Sequence, residues 1–512
     1  MFNKIFKNLL ANGAGFVVEA VIAFCMLPYI INRVGEAAYG IWAVILSLSG
    51  YMGILNLGLR PAINKYVAQY NALGKKERIL ELIHCSLVTY FFCAVVIACV
   101  SVVVSLRVTH IFNIPHDFQR ASSVLVLLVG MQMSTGLIAV VYGGVISGMQ
   151  RYEINNGIEI FVMLSRTAII LLFLNKYPTI YTIAAAHFSM TMIGYLVTFY
   201  AAGKIVDFKN MKIFTKPSKE MMLNILSFSA ITFVIGIVGR IMTYIDSLII
   251  GTVLTTTIVT YYAVGSRLIQ YLKNLIEVLM NVIAPAISEM SVTNRSEIGD
   301  LYIYASKFSS LISYPILSFL IIQGNEFLYL WMGESYPYSY NIMLILSIGG
   351  IFVFPQMSTN PILYGLARHK IIMWVSIVEG VVSVILSIGL CRYWNVYGIA
   401  VGLVVPKALL GGIIYPIYVC RLLNLSLSKL IWQCYFRSLI TVSPIVMLLY
   451  WAKEKQVVDT WLFLGGEVVI CGVIYSVSVY VLSLDKNERQ QLWAIIRNRS
   501  INKSALSDVR SQ

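Results

Sequence analysis

The chain has 512 residues, of which 59% are hydrophobic and 12% are charged, and its formal net charge is +15. A soluble chain has about a quarter of its residues charged, so this composition excludes an ordinary soluble enzyme. The mean hydropathy of +0.80 also excludes an intrinsically disordered chain, which requires low hydrophobicity. The apolar residues fall in blocks of about 20, the length of a helix that spans the hydrocarbon core of a bilayer. The composition therefore predicts an all-α integral membrane protein.

The apolar blocks, separated by turn and charge signals, predict about 14 transmembrane helices. The blocks lie at about 9–31, 39–59, 82–106, 121–148, 156–175, 179–202, 222–250, 258–285, 301–323, 341–365, 371–391, 394–420, 430–451 and 460–484. The segments between them are short, and we expect them to be loops, including the charged stretch at 60–81. No outer loop is long enough for a catalytic domain, so the sequence predicts a protein that is not an enzyme.

The distribution of basic residues predicts the orientation of the chain. Of the 38 Lys and Arg residues, 24 fall in the N-terminal segment, the C-terminal tail and the alternate loops on their side, and 7 fall in the loops on the other side. Because basic residues accumulate on the cytoplasmic side, both termini are predicted to be cytoplasmic. The same clustering accounts for the positive net charge without nucleic acid as a partner.

The cysteines and nucleotide motifs exclude several kinds of site. The eight cysteines lie within or at the ends of apolar blocks, and none forms a CxxC pair. We therefore expect packing residues, with no disulfide framework and no metal site. No phosphate-binding GxxxxGK[ST] motif occurs, so direct use of ATP is not expected. We predict no cofactor.

A short internal repeat predicts a duplicated architecture. The second predicted helix is followed by RPAIN at 60–64, and the eighth is followed by APAIS at 284–288. Two six-helix halves around a cleft are typical of transporters built from repeats. We expect an N-terminal six-helix half at 1–203, a cytoplasmic linker at 204–221, a C-terminal six-helix half at 222–421, two additional helices at 422–484 and a basic cytoplasmic tail at 485–512.

The eighth predicted helix carries a continuous polar stripe. Its members follow one another at steps of three and four residues, and they are Arg267, Gln270, Asn274, Glu277 and Asn281. These steps put them on one helix face, with Lys273 beside it and one turn before Glu277. The stripe indicates either a water-filled lumen or a seam of helix packing that includes a Lys273–Glu277 ion pair.

Other predicted helices contain isolated polar residues that are costly inside a membrane. Asn56 and Arg60 share a face of the second helix, where Arg60 is either a membrane-interface anchor or a substrate contact. Further candidates are Glu19 in the first helix, Glu159 and Arg166 in the fifth, and Arg240 and Asp246 in the seventh. Glu159 and Arg166 are too far apart to pair, but both can line one cavity.

The basic members of this set predict an anion-binding cleft. Arg240, Arg267 and Lys273 are its strongest elements, with Arg60 and Arg166 as additions. A cationic, water-filled cleft attracts anions, and the arginine guanidinium donates two parallel hydrogen bonds to phosphate. We therefore predict that the ligand carries a phosphate or pyrophosphate group.

The order of the helices and four short motifs resemble the lipid-linked oligosaccharide flippases of bacterial surface polysaccharide synthesis. The motifs are NLLAN at 8–12, GEAAYGIW at 35–42, NLGLR at 56–60 and LWMG at 330–333. These flippases are related to the multidrug and toxin extrusion (MATE) exporters and to the lipid II flippases. The first helix carries Glu19 where the lipid II branch is richer in Arg, which argues against that branch.

The resemblance implies translocation of an undecaprenyl-pyrophosphate-linked oligosaccharide between leaflets by alternating access, for O-antigen, capsule or exopolysaccharide synthesis. It also implies a bacterial plasma membrane location, and the polysaccharide polymerase and chain-length machinery as candidate partners. The family pattern of basic residues in the second, seventh and eighth helices is matched by Arg60, Arg240 and Arg267.

A MATE-type exporter coupled to H⁺ or Na⁺ is the alternative function. Such an exporter needs acidic residues in its N-terminal half, where Glu19 and Glu159 could serve, and Asp246 in the other half is a further candidate for ion coupling. The basic residues of the eighth helix argue against a cationic substrate.

Overall fold

The computed structural model describes residues 2–52, 58–206, 218–281, 283, 287, 290, 297–333, 336–366, 368–455, 460–486 and 488–490. Every regular element in these ranges is helical, which confirms the all-α class. Asn56 lies outside the described residues, as do residues 207–217 of the predicted linker at 204–221 and most of the second copy of the repeat motif.

Nine long helices make up the described chain as far as Asn281. They are α1 (Phe2–Val34), α2 (Glu36–Met52), α3 (Leu59–Ala72), α4 (Lys76–Ile111), α5 (Gln119–Gly148), α6 (Tyr152–Leu174), α7 (Ile180–Ile205), α8 (Lys219–Val253) and α9 (Thr256–Asn281). The prediction of a loop across 60–81 was wrong, because α3 occupies most of that stretch. Gly58 precedes α3 in the left-handed conformation, with φ at 63°, which glycine adopts without strain.

Most of the remaining described helices are shorter, and they are more often interrupted. They are α10 (Ile298–Ile322), α11 (Gly324–Met332), α12 (Pro337–Val353), α13 (Thr359–Gly365), α14 (His369–Leu409), α15 (Tyr415–Leu422), α16 (Leu427–Leu430), α17 (Arg437–Glu454) and α18 (Trp461–Ser478). Three π-helical segments follow α14, α16 and α18, at Leu410–Ile414, Ile431–Phe436 and Val479–Ser483.

Wherever the chain is described, the fourteen predicted segments are helical. By length and apolarity, nine helices in the described part of the chain are able to cross a membrane. One of the nine runs from Lys370 to Leu422 and has non-helical backbone at Trp394 and Asn395, which is where the eleventh and twelfth predicted segments meet. The total of fourteen crossings stays a prediction.

Residues group by their contacts into two compact units. Unit 1 contains residues 1–267 and 370–404, and unit 2 contains residues 268–369 and 405–512. These units follow contacts between helices, whereas the predicted halves follow an internal repeat. The division at 203 and 222 therefore stays a prediction.

Unit 1 is built around α5, which packs against α3, α4 and α7. Small residues let α3 approach α5 closely. A Cβ on Gly144 would lie 2.9 Å from Ile63, and a Cβ on Gly148 would lie 2.6 Å from Val67. The aliphatic side chains of this contact are buried in the core that α3, α4 and α5 share. The rigid contact fixes the first turn of α3, which carries Arg60.

Unit 2 is built around α10, which packs against α11, α12 and α17. The predicted tenth helix is broken between α12 and α13 by a 3₁₀ segment at Phe354–Ser358. Pro355 cannot donate to the carbonyl of Ile351 four residues earlier. The hydroxyl of Tyr314 donates to that carbonyl instead, at 3.1 Å, and Ser309 donates to the carbonyl of Phe354 at 2.6 Å.

A buried lysine connects α10 to the start of the C-terminal tail. Lys307 is 3% exposed, and its ammonium donates to both carboxylate oxygens of Glu488 at 2.9 and 2.7 Å. Beside it, Arg437 donates to Asp485 at 2.8 Å. This guanidinium holds the pKa of the Asp485 carboxyl below its usual range. The tail therefore begins as an ordered ion-paired segment, which its basic composition did not indicate.

Candidate functional site

Unit 1 contains a cavity of about 640 Å³. Residues of α1, α3, α5, α6 and α7 line it, and its charged lining residues are Glu19, Arg60, Glu159 and Arg166. Glu159 and Arg166 stand two turns apart on α6, so both reach one cavity, as their spacing predicted. The structure thus brings together four of the candidate residues, from three different helices.

The charges of this cavity are balanced. It has two guanidinium groups and two carboxylates, whereas the sequence predicted a cationic cleft. Glu19 interacts electrostatically with Arg166, which is half-buried, and Arg60 is exposed. Arginine can bind a phosphate, and carboxylates accept hydrogen bonds from sugar hydroxyls. The lining is therefore suited to a ligand that has both groups.

Neutral polar groups and glycines complete the cavity wall. Asn155 is buried and donates to the carbonyl of Gly143 at 2.9 Å and to the hydroxyl of Ser147 at 2.8 Å. These bonds fix α6 against α5 at the cavity. A Cβ on Gly136 would lie 2.6 Å from the hydroxyl of Tyr195. A residue larger than glycine at this position would therefore displace the hydroxyl from the cavity wall.

Arg240 and Arg267 both contact α2 and do not belong to the lining of this cavity. Arg240 donates to the carbonyl of Gly50 at 3.5 Å, and Arg267 donates to the hydroxyl of Tyr39 at 3.4 Å. Their partners are eleven residues apart on one helix, which corresponds to roughly 16 Å along its axis. Each arginine is half-buried. A single cluster of Arg60, Arg166, Arg240 and Arg267 therefore stays a prediction.

The contact between α2 and α9 includes a carboxylate that sequence reasoning missed. Glu36 accepts a 2.6 Å hydrogen bond from the hydroxyl of Tyr261, and its carbonyl accepts one of 2.6 Å from Thr260. A Cβ on Gly40 would overlap the carbonyl of Thr256. These α2 residues belong to the GEAAYGIW motif, which in the sequence indicated only a family resemblance. Their role is to join α2 to α9.

The polar stripe of α9 lies opposite a buried apolar face. Leu272, Ile276 and Met280 are 4, 0 and 5% exposed and belong to the core of unit 2. On the polar side, Gln270 and Asn281 are exposed, whereas Asn274 is half-buried. The packing of unit 2 thus leaves much of the stripe uncovered, as a water-facing surface requires.

The ion pair on this stripe is formed as the packing alternative predicted. Lys273 lies 3.4 Å from Glu277, and their side chains are 33% and 46% exposed. A pair this exposed, one turn apart on a helix, stabilises by only about 0.3–0.5 kcal/mol. The pair reduces the free positive charge that the sequence assigned to Lys273.

Asp246 lies near aromatic residues of unit 1, and no basic residue of the described chain forms an ion pair with it. Its carboxylate accepts hydrogen bonds from the backbone nitrogen of Ser247 at 2.7 Å and from the hydroxyl of the same residue at 3.3 Å. It interacts electrostatically with Tyr51 and Tyr262. It does not line the cavity with Glu19 and Glu159. The three acidic candidates for ion coupling are therefore divided between two places.

Two relatives resemble this chain over most of their length. The uncharacterized membrane protein EpsK of Bacillus subtilis (strain 168) is 21% identical over 506 residues, covering 95% of this chain and 97% of EpsK. A putative O-antigen transporter of Shigella flexneri is 20% identical over 409 residues, covering 78% of this chain and 94% of the transporter.

Two solved structures share the fold. The lipid II flippase MurJ, in an inward closed conformation, superposes with a TM-score of 0.66 at 13% identity and covers 91% of this chain and 98% of MurJ. An inward-facing MATE transporter of the MOP superfamily gives a TM-score of 0.59 at 15% identity, covering 79% of this chain and 96% of the transporter. The protein is a multi-pass membrane protein that shares this fold.

A family model described as polysaccharide biosynthesis protein matches residues 5–291, which is more than half of the chain. The match covers α1 to α9 and so includes the cavity, the contact between α2 and α9, and the polar stripe. The chain belongs to the polysaccharide biosynthesis protein family.

Proposed function

We propose that the protein is a flippase for an oligosaccharide linked to undecaprenyl pyrophosphate. It moves this substrate from the cytoplasmic to the outer leaflet of the bacterial plasma membrane by alternating access, and the product serves O-antigen, capsule or exopolysaccharide synthesis. The family, the putative O-antigen transporter among the relatives and the transporter fold support this proposal.

The observation that carries the proposal is the mixed charge of the unit 1 cavity. Arg60 and Arg166 supply the donors that a pyrophosphate needs, and Glu19 and Glu159 supply acceptors for sugar hydroxyls. A cavity of about 640 Å³ holds the head group, while the polyprenyl tail stays among the acyl chains. Three further basic residues then guide the anion, namely Arg240, Arg267 and Lys273. A water-filled path is provided by Asn56 and by the polar stripe of Gln270, Asn274, Glu277 and Asn281.

The proposal includes an orientation and partners. Both termini are cytoplasmic, and the six-helix halves at 1–203 and 222–421 alternate their opening, with the helices at 422–484 as an addition. Energy comes from an H⁺ or Na⁺ gradient acting through Glu19, Glu159 or Asp246, or from consumption of the product by the polymerase and chain-length machinery.

The test is polysaccharide export by cells in which the chromosomal copy is replaced by variants. Arg60→Ala and Arg166→Ala should each reduce export roughly 10- to 100-fold, which corresponds to the loss of a hydrogen bond to a charged group. Arg151→Ala is the matched control. It removes an exposed arginine just before α6 whose ion pair with Glu153 lies outside the cavity, and export should be unchanged.

The same variants are compared in vesicles that contain the purified protein and a synthetic pyrophosphate-linked oligosaccharide. Slower crossing by the two cavity variants at equal protein abundance supports the proposal. Normal crossing by an Arg60→Ala, Arg166→Ala double variant would refute it, since no guanidinium would remain in the cavity lining.

One observation favours a second candidate function. The cavity holds Glu19 and Glu159, and two carboxylates can bind a cationic drug or a coupling ion as in a MATE-type exporter. Drug accumulation in the same cells separates the two functions. A MATE-type exporter predicts that Glu19→Gln raises drug accumulation and leaves surface polysaccharide intact, whereas a flippase predicts loss of polysaccharide alone.

A further inference from the structure

Unit 2 contains a buried carboxyl group, that of Glu467. Glu467 is on α18 and is 7% exposed, and Gln323, which follows α10, is fully buried. The amide nitrogen of Gln323 donates to one oxygen of Glu467 at 3.0 Å. This amide–carboxyl pair joins α18 to α10.

The orientation of the amide is fixed by a second acceptor. The nitrogen of Gln323 also donates to the carbonyl of Leu449 at 3.4 Å. If the amide were reversed, its oxygen would face the carbonyl of Leu449, which can only accept a hydrogen bond. The nitrogen of Gln323 therefore faces Leu449 and one oxygen of Glu467, and the amide oxygen remains available as an acceptor.

Two acceptor oxygens of the pair have no hydrogen-bond partner among the residues that the structure describes. They are Oε1 of Gln323 and Oε2 of Glu467, and both are buried. A buried polar atom without a partner costs about 1–3 kcal/mol, and a buried ionised carboxylate costs more unless a cation neutralises it. The two oxygens belong to neighbouring planar groups, so one hydrogen shared between them would satisfy both.

No cation in the described chain neutralises Glu467. Glu326 of α11, the charged group that acts on it, is also negative. Lys453 of α17 is committed elsewhere, since it donates to the carbonyl of Ile322 at 2.5 Å and lies 3.8 Å from Glu326. The remaining titratable groups nearby are Cys471 on the same helix and Tyr340 of α12, which are neutral at pH 7.

We propose that Glu467 is a proton-binding site, in which the carboxyl carries a proton on Oε2 and donates it to Oε1 of Gln323. One proton then removes the buried negative charge, satisfies both orphaned oxygens and closes a cyclic pair with two antiparallel hydrogen bonds. Release of the proton leaves an anion that faces Glu326. The attachment of α18 to α10 is consequently strongest when Glu467 is neutral.

The site lies at one end of the two additional helices, where α10 and α17 end and α18 begins. It is separate from the acidic candidates Glu19, Glu159 and Asp246, all of which belong to unit 1. It does not depend on the identity of the transported substrate, so the failure of the flippase proposal would leave it standing.

Infrared spectroscopy of the full-length protein in lipid nanodiscs tests the proposal directly. The difference spectrum between the wild type and Glu467→Gln at pH 7 should contain the carbonyl stretch of a protonated carboxylic acid, shifted by exchange into D₂O. Glu454→Gln is the matched control. It removes an exposed carboxyl at the end of α17 and should yield only carboxylate bands. Carboxylate bands alone for Glu467 would overturn the proposal.

Thermal unfolding of the same variants is the second measurement. Glu467→Gln is isosteric with the neutral acid and can form both hydrogen bonds, so its unfolding midpoint at pH 7 should equal that of the wild type. Glu467→Ala should lower the midpoint. If Glu467→Gln fails to fold or unfolds with Glu467→Ala, the ionised form is required and the proposal is refuted. A wild-type midpoint that depends on NaCl but not on pH would assign the site to Na⁺ rather than a proton.

Discussion

At the scale of single residues, the structure separates two basic side chains that share one helix. Lys273 has Glu277 as an ion-pair partner at 3.4 Å, whereas Arg267 donates to the neutral hydroxyl of Tyr39. The ion pair offsets the positive charge of Lys273 and weakens its attraction for an anion. Arg267 has the planar guanidinium that donates two parallel hydrogen bonds to phosphate, so it is a better candidate for contact with a pyrophosphate than Lys273.

The prediction concerns export by Arg267 variants. Arg267→Ala should abolish polysaccharide export at normal protein abundance, because a half-buried arginine contributes little to the packing between helices. Arg267→Lys should retain part of the activity, because it keeps the charge without the two parallel donors. A Lys273→Ala, Glu277→Ala double variant is the control and should keep both export and abundance. Loss of the Arg267→Ala protein from the membrane would instead indicate a structural role.

At the scale of elements, the contact between α2 and α9 depends on a small residue. Gly40 lies against the backbone of Thr256, and Glu36 and Tyr39 form hydrogen bonds with side chains of α9. Gly40→Ala should destabilise the protein by about 1–3 kcal/mol, the usual effect of overpacking. Thermal unfolding of the purified variant measures this loss.

Gly465→Ala on α18 is the matched control, because its Cβ would meet no atom within 4 Å. Alanine is favoured over glycine in a helix by about 1 kcal/mol, so this control should be neutral or stabilising. Equal melting temperatures for the two variants would contradict the close contact of α2 with α9.

The polar stripe of α9 makes a second prediction at this scale. Cysteines that replace Gln270 and Asn281 should react with a water-soluble thiol reagent, because both side chains are exposed. A cysteine at Ile276 should stay protected, since that residue is fully buried on the opposite face. Labelling is measured in a variant without the eight native cysteines. Protection at all three positions would favour a packing seam over a water-filled lumen.

At the scale of the whole molecule, the orientation in the membrane follows from the basic loops. Reporter domains fused after Lys75 and after Lys486 should be active in the cytoplasm, and a reporter fused after His116 should be active outside. All three residues are exposed, so the fusions should not disturb the packing. Reporter activity is read with a pair of enzymes, each active on one side only. Two fusions reporting the opposite sides would require a different assignment of spans.

The sequence by itself determined the helical class and the positions of the helices, because apolar length and periodicity are local properties. It also placed Glu159 and Arg166 in one cavity, since both belong to one helix face. It did not predict the 3₁₀ break at Pro355, the helix α3 within a charged stretch, or the buried pair of Lys307 and Glu488. The break and the pair depend on partners that are distant in the chain.

Tertiary packing alone decided which polar faces meet. Periodicity tells which residues share a face of one helix, but it does not tell which neighbour that face contacts. The fold puts Arg60 and Arg166 with two carboxylates and Arg267 against Tyr39, 228 residues away, and the single cationic cleft stays a prediction. The pairing of Glu467 with Gln323, 144 residues apart, was likewise decided by the fold. A buried carboxyl becomes a site for a proton only when the surrounding helices leave it without a cation.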